Sequence, residues 1–272
     1  MSKVKYIFVD LDKTLLNDEK KVCNKNKEAI DKALSKGHKV IIATGRPKSA
    51  AIIGAKNAGL YKDGCFILCY NGGMIYDCTK EQVIFEKTLS MDEIHNIESE
   101  ADKYGIHVQA YENDKVICKS EDEELKFYCK NGQMGYEIRD SIINTLKSPS
   151  LKVLLISFDN EKIVRFRNEH PEFETGSLHS FFSCEEYLEY MPSDISKGDG
   201  IVNMSKIFGF DMKDTIAIGD ERNDLTMIEM AGLGVAMCNG ADCVKDIADY
   251  VTTLNNNEGG VAEVIEKFVL NS

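Results

Sequence analysis

An alternation of short apolar runs with helix-patterned segments occurs at both ends of this chain and breaks off in its middle, and it limits the possible folds more than any other feature. Apolar runs at 4–9, 39–43 and 66–70 read as strands. Between the first two lies a segment whose Ile30, Ala33 and Leu34 share one helical face and which ends at Gly37. A second such segment, around 48–58, ends at Gly59. The order β-α-β-α-β returns near the C-terminus. There a helix from Gly198 to Phe208 precedes a strand from Thr215 to Ile218, a helix from about Asp224 to Ala231, and short strands near 234–237 and 250–252. Strands joined through helices pair in parallel, so both ends read as parallel-sheet units that fold together as one α/β domain. From about 82 to 188 the texture changes. Pieces at 83–86, 115–118 and 153–158 read as strands of a different sheet, mixed with polar amphipathic segments at 91–104 and 121–131. The expected organisation is a core made of residues 1–82 and 189–272, with a second domain inserted at 83–188.

Composition removes several classes of function. The 45 acids against 33 bases leave a net charge of -12, which opposes binding to phosphate backbones and anionic lipid. No nucleic-acid or membrane partner is expected, and nothing calls for an obligate protein partner. The nine cysteines contain no Cys-x-x-Cys pair, so neither zinc nor a disulfide framework is indicated. The chain enters its first strand without a signal-type apolar region, and no apolar stretch approaches the roughly 20 residues that span a bilayer. A cytoplasmic location is expected.

Four separated pieces share one position, the C-terminal end of a strand or the start of a helix, where open α/β sheets bind ligands. The first is Asp10-x-Asp12-x-Thr14, a pair of carboxylates where a buried strand runs out. Crowded, half-buried carboxylates are costly unless a cation or donors compensate them, which points to a divalent metal or to proton transfer. The second is Thr44-Gly45-Arg46, whose hydroxyl, backbone N–H groups and guanidinium suit phosphate oxygens. Lys197 at a helix start is the third, and Gly219-Asp220-Glu221-Arg222-Asn223-Asp224 is the fourth. Taken singly, each has a plain structural reading: a solvated turn, a turn entering a helix at Pro47, a surface lysine, a helix cap at Asp224. Their convergence on one sheet edge is the specific signal.

These pieces resemble the haloacid dehalogenase-like phosphohydrolases, and within them the Cof-type branch. The resemblance runs the length of the chain: Asp-x-Asp-x-Thr-Leu, Thr-Gly-Arg, Asn71-Gly72-Gly73, the return segment Leu188-Glu189-Tyr190-Met191-Pro192 leading to Ser196-Lys197-Gly198, and Gly219-Asp220 with Asn223-Asp224. Two departures stand out, Lys13 and Asp194, each where the branch usually carries Gly. The resemblance implies a Rossmann-like parallel-sheet core with an inserted α+β cap domain, and a Mg²⁺-dependent phosphatase of small phosphorylated metabolites, with sugar phosphates as a candidate class. Asp10 would be the nucleophile and Asp12 the acid/base. Mg²⁺ would be held by Asp10, Asp220 and the backbone carbonyl of Asp12. Lys197, Thr44 and Asn223, with the N–H groups of Leu11 and Gly45, would hold the phosphate oxygens. Arg46 and Asn71 would lie near the substrate, with Arg46 equally suited to a structural salt bridge, and Asp224 would support Lys197 or a metal-bound water.

Two alternatives remain open at this level: a phosphomutase using the same aspartyl-phosphate, and a non-catalytic phosphoacceptor module. In the inserted segment, Phe173, Phe181, Phe182, Tyr187 and Tyr190 read as core packing in preference to a pocket lining. His95, His107, His170 and His179 have no metal-ligand spacing, and the run 121–124 reads as a solvated helix face.

Overall fold

The computed structural model describes residues 3–132 and 134–271, in two compact units: one of residues up to Phe85 and from Ile195, the other Glu86–Asp194. In chain order the first unit opens with β1 (Tyr6–Asp10), α1 (Asn24–Ser35), β2 (Lys39–Ala43), α2 (Lys48–Asn57), β3 (Cys65–Cys69), β4 (Met74–Asp77) and β5 (Gln82–Glu86). The second contains α3 (Met91–Lys103), β6 (His107–Glu112), β7 (Lys115–Cys118), α4 (Glu123–Gly132), β8 (Tyr136–Ile138), β9 (Val153–Ile156), α5 (Asn160–Glu169), β10 (Leu178–Cys184) and β11 (Tyr187–Pro192). The chain then returns to the first unit through α6 (Lys197–Phe208), β12 (Thr215–Gly219), α7 (Leu225–Met230), β13 (Leu233–Ala236), α8 (Asp242–Lys245), β14 (Tyr250–Val251) and α9 (Gly260–Ile265).

The first unit is built on an 8-stranded sheet in the order β14-β13-β12-β1-β2-β3-β4-β5. Every pairing from β14 to β3 is parallel; β4 returns antiparallel to β3. The chain winds outward from β1 through β2 and β3, then resumes at β12 on β1's other side and winds the opposite way. The ends of β1 and β12 therefore flank a topological switch point, the position at which such sheets form a crevice. Side-chain alternation decides which face each residue of β1 serves. Phe8 packs with Ile201 and Met204 of α6, in a core that also holds Ile41, Leu68, Ala217 and Met227. Asp10, two residues on, points the same way, toward the start of α6.

The second unit carries a 6-stranded sheet, β10-β11-β9-β6-β7-β8, antiparallel except for the β7–β8 pair. Ile94, Ile97 and Ala101 of α3 and Ile163 and Phe166 of α5 cover one face, packed on Val108, Ala110, Val153 and Leu155. α3 starts at a capping box in which Ser90 and Glu93 satisfy each other's backbone. On the same sheet the Lys152 ammonium donates to Glu189 at 2.9 Å, a buried pair.

Several expectations change. The segment 83–86 is β5 at the edge of the first sheet and does not belong to the second. The return segment Leu188–Pro192 is most of β11, paired with β9 and β10, so the compact units divide at 85/86 and 194/195 where the sequence suggested 82/83 and 188/189. Asp194 forms an ion pair with Lys87, joining the two ends of the inserted segment. Phe173 and Tyr190 lie in the second unit's core with ring centres 5.9 Å apart, whereas Tyr187 meets Phe127 and Tyr128, and Phe181 stacks on His179. The five aromatics are not one cluster. Asp122 does more than solvate a helix: it accepts from the Leu125 N–H at 2.9 Å and pairs with His107 at 2.7 Å.

Candidate active site

The site begins with Asp10 at the last position of β1, buried. Its Oδ1 accepts a hydrogen bond from Lys197 Nζ at 2.6 Å. Lys197 is fully buried at the first turn of α6, whose N-cap Ser196 accepts from the Asp199 N–H. The helix start can sit this close because Gly72, at φ 97°, faces it: a β-carbon there would stand 2.2 Å from the Ser196 carbonyl oxygen. Lys197 Nζ also donates to Asp224 Oδ1 at 2.5 Å. Asp224 Oδ2 in turn accepts the N–H groups of Asp220 at 2.9 Å and Glu221 at 3.0 Å. Asp224 thus shapes the turn after β12 and makes no side-chain cap to α7, so the helix-cap reading is replaced by support of Lys197. Asp220 is buried and is fixed by the Thr14 hydroxyl, which donates to its Oδ1 at 2.6 Å.

Among the described residues, Asp10, Asp220 and Asp224 are the acids whose oxygens converge, all within 4.8 Å of one another. One ammonium faces three carboxylates, and the electrostatics record the imbalance. Burial pushes the Asp10 carboxyl well above the usual range; Lys197 pulls it down, and Asp224 and Asp220 push it up again. Asp220 rises to about 6, chiefly through burial, with Asp224 adding to the rise and the Thr14 hydrogen bond opposing it. For Lys197 burial works against the charge, but Asp10 and Asp224 outweigh it and hold the ammonium protonated. A buried group of hard oxygen donors carrying excess negative charge fits a divalent cation such as Mg²⁺ and does not suit a soft metal.

Asp12 is placed differently. Its carboxylate is turned to Arg46, which donates from Nε to Oδ2 at 2.9 Å and from Nη2 to Oδ1 at 2.7 Å, and to Lys20, whose Nζ donates to Oδ1 at 2.8 Å. Burial raises its pKa, but the bonds and charges of Arg46 and Lys20 prevail and hold it below the ordinary value. Lys13 takes φ 61°, a left-handed conformation that glycine adopts freely, and its carbonyl accepts from Asn239 Nδ2 at 2.9 Å. The departure from glycine therefore keeps the turn that follows Asp12 at some cost in strain.

Thr44, Gly45, Asn71 and Asn223 form a third group. The turn at 44–46 is stapled to the turn after β3: the Asn71 N–H donates to the Thr44 carbonyl at 3.1 Å and the Tyr70 N–H to that of Arg46 at 3.1 Å. Asn71 Oδ1 accepts from Asn223 Nδ2 at 3.1 Å, and a β-carbon on Gly45 would lie 3.0 Å from the same oxygen. Leu11 is buried against Gly54 of α2, with its carbonyl bonded to the Leu16 N–H at 2.8 Å. The structure brings Asp10, Lys197, Asp220 and Asp224 into contact and Asn71 with Asn223, and it pairs Arg46 with Asp12. Two contributors were not expected, Thr14 on Asp220 and Lys20 on Asp12. The motif itself contains Thr14, but no local signal marks Lys20, since its reach to Asp12 depends on a turn.

The sequence matches the haloacid dehalogenase-like hydrolase family over residues 7–265. It is 32% identical to the 5-amino-6-(5-phospho-D-ribitylamino)uracil phosphatase YcsE of Bacillus subtilis, over 98% of this chain and 96% of that one. The fold is similar to that of a haloacid dehalogenase-like hydrolase from Bacteroides thetaiotaomicron, with TM-score 0.88 and 30% identity over 97% of this chain and 99% of that one. It is also similar to TM0651 from Thermotoga maritima, with TM-score 0.87 and 29% identity over 98% of each. Family, sheet order and strand-end acids agree: the chain belongs to the haloacid dehalogenase-like hydrolases, in their Cof-type branch.

Proposed function

We propose that this protein is a Mg²⁺-dependent phosphatase of small phosphorylated metabolites, acting through an aspartyl-phosphate on Asp10. The observation that carries the reading is the buried contact of Asp10 with Lys197 beside two further acids. In the first step an Asp10 oxygen bonds to phosphorus while the bond to the leaving oxygen breaks, and Asp12 gives that oxygen its proton. In the second, Asp12 takes a proton from water, the resulting hydroxide bonds to phosphorus, the Asp10–phosphorus bond breaks and inorganic phosphate leaves. Held ionised by Arg46 and Lys20, Asp12 stands ready for the second step; the first needs that hold to loosen enough for a proton.

Lys197 offers the transferring group an ammonium positioned before reaction, and Thr44, Asn223 and the Leu11 and Gly45 N–H groups are assigned to its remaining oxygens. Asp10, Asp220 and the Asp12 carbonyl are assigned to Mg²⁺, with Asp224 committed to Lys197 and the turn. When bound, the ion offsets the repulsion between the Asp10 carboxylate and the phosphate. The substrate class draws support from YcsE, whose name states a phosphorylated ribityl compound. No helix among the described residues is long and apolar enough to cross a membrane.

The test is release of inorganic phosphate from a panel of phosphorylated metabolites with and without Mg²⁺, for the native protein and Asp10→Asn. Turnover is expected only with the ion, and Asp10→Asn is expected to lose essentially all of it with its circular dichroism unchanged. An active Asp10→Asn would remove the nucleophile assignment.

A further inference from the structure

The turn that closes β3 runs through three consecutive left-handed residues, Tyr70 at φ 50°, Asn71 at φ 50° and Gly72 at φ 97°. Gly72 has its reason in the close approach of the start of α6. Glycine would also be the least strained choice at position 71, yet the chain keeps a side chain there, in a conformation that asparagine tolerates better than most residues. Residues at unfavourable φ collect where geometry serves function. The backbone has a task of its own, since the Asn71 N–H donates to the Thr44 carbonyl at 3.1 Å, but glycine would make that bond equally well. What asparagine adds is its carboxamide.

That carboxamide is confined. Asn71 is 6% exposed, and among the described residues its side-chain partner is Asn223, whose Nδ2 donates to Asn71 Oδ1 at 3.1 Å. Gly45 walls it on another side: a β-carbon there would stand 3.0 Å from Oδ1 and 3.3 Å from Nδ2. Asn223 is in the opposite situation, exposed on the short turn Arg222–Asp224. An exposed asparagine can turn either end of its carboxamide to a ligand, because its last torsion is broad and roughly two-fold. An oxygen turned to a phosphate repels it, whereas the nitrogen has two N–H groups to donate. The bond to Asn71 Oδ1 uses one of them and holds the nitrogen on the side of Gly45, with the second N–H still to give.

We propose that Asn71 is a positioning residue for Asn223: it fixes the Asn223 carboxamide with its nitrogen toward the Thr44–Gly45 turn, so that the remaining N–H is aimed at a phosphate oxygen before the substrate arrives. A donor oriented in advance needs no reorganisation when the phosphate binds or reacts. This rests on the phosphatase reading and on the assignment of Thr44, Gly45 and Asn223 to the phosphate.

The test is a double-mutant cycle on the full chain with Mg²⁺ present: native, Asn71→Gly, Asn223→Ala and the two combined. The readouts are kcat/KM for 4-nitrophenyl phosphate, followed by release of 4-nitrophenolate, and the inhibition constant of inorganic phosphate. Glycine fits the backbone at position 71 and keeps the bond to Thr44, so Asn71→Gly removes the side chain alone. It is expected to lose about fivefold in kcat/KM, the size of one neutral hydrogen bond, and to raise the phosphate inhibition constant by a similar factor. Asn223→Ala is expected to lose more, and the double variant no more than Asn223→Ala does. A smaller folded fraction would lower kcat and leave the inhibition constant in place, so it cannot imitate this result. Losses that multiply in the double variant, an unmoved inhibition constant, or an Asn71→Gly as active as the native protein overturns the proposal. If the native protein does not hydrolyse the ester, the phosphatase reading fails and takes this one with it; native turnover with multiplied losses sinks the role of Asn71 alone.

Discussion

Asp220→Asn is expected to make the metal-free protein more stable while ending its catalysis. In the folded state Asp220 titrates at about 6 against an ordinary 3.8, mainly because it is buried among other acids. The folded pKa lies above the unfolded one, so the native state holds the extra proton between those values. The stabilisation this gives is complete below about pH 3.8 and is lost as the pH rises through about 6. At roughly 1.4 kcal/mol per pH unit, keeping Asp220 ionised in the fold at pH 8 costs up to about 3 kcal/mol. Asparagine has the same shape, keeps an oxygen for the Thr14 hydroxyl and carries no charge.

With EDTA at pH 8 the variant should therefore exceed the native protein by up to about 3 kcal/mol. For 272 residues at roughly 2.1 cal/mol/K per residue, that corresponds to a Tm about 5 °C higher. The gap should close as the pH approaches 4. Mg²⁺ at a hundred times its dissociation constant should return about 2.7 kcal/mol to the native protein and less to the variant. The assay is differential scanning calorimetry at pH 4, 6 and 8, with EDTA and with Mg²⁺. A variant less stable than the native protein by a similar amount at every pH, or stabilised by Mg²⁺ as much as the native protein is, would refute the electrostatic argument.

Lys197→Met removes the ammonium that, among the described residues, contacts both Asp10 and Asp224. Urea unfolding without metal at pH 8 should show a loss of about 3–5 kcal/mol, partly recovered by adding Asp224→Asn. Lys13→Gly relieves a left-handed residue at φ 61° and should gain about 1 kcal/mol in the same measurement, with turnover retained.

The sequence and the structure agree best where a charge interrupts a strong pattern. Asp10 stands at the end of an otherwise apolar strand, and no packing argument accommodates an acid there, so its position at the sheet edge was legible. The β-α alternation likewise placed β1, β2, β3 and β12 in one parallel sheet. β5 defeated the reading because an edge strand with exposed and half-buried residues carries no mark of which sheet it joins. β11 was misplaced for a related reason: its residues serve the second sheet, while the helix that follows it carries the site lysine. The side-chain direction of Asp12 could not be read locally, since it depends on Arg46 from beyond β2 and on Lys20 across a strained turn.

The acids of this site are divided into two unequal charge environments, and the division bears on when chemistry can begin. Asp10, Asp220 and Asp224 share one ammonium, whereas Asp12 alone has two cations. As a result the intended nucleophile holds its proton too tightly and the intended acid too weakly, the reverse of what hydrolysis requires. In the proposed mechanism each imbalance would be offset by one component of the reaction. A divalent cation among the three acids would favour ionised Asp10, and an anionic substrate beside Arg46 would compete with Asp12 for its donors. On that mechanism neither component would suffice alone, and the reactive protonation states would be confined to the site that holds both.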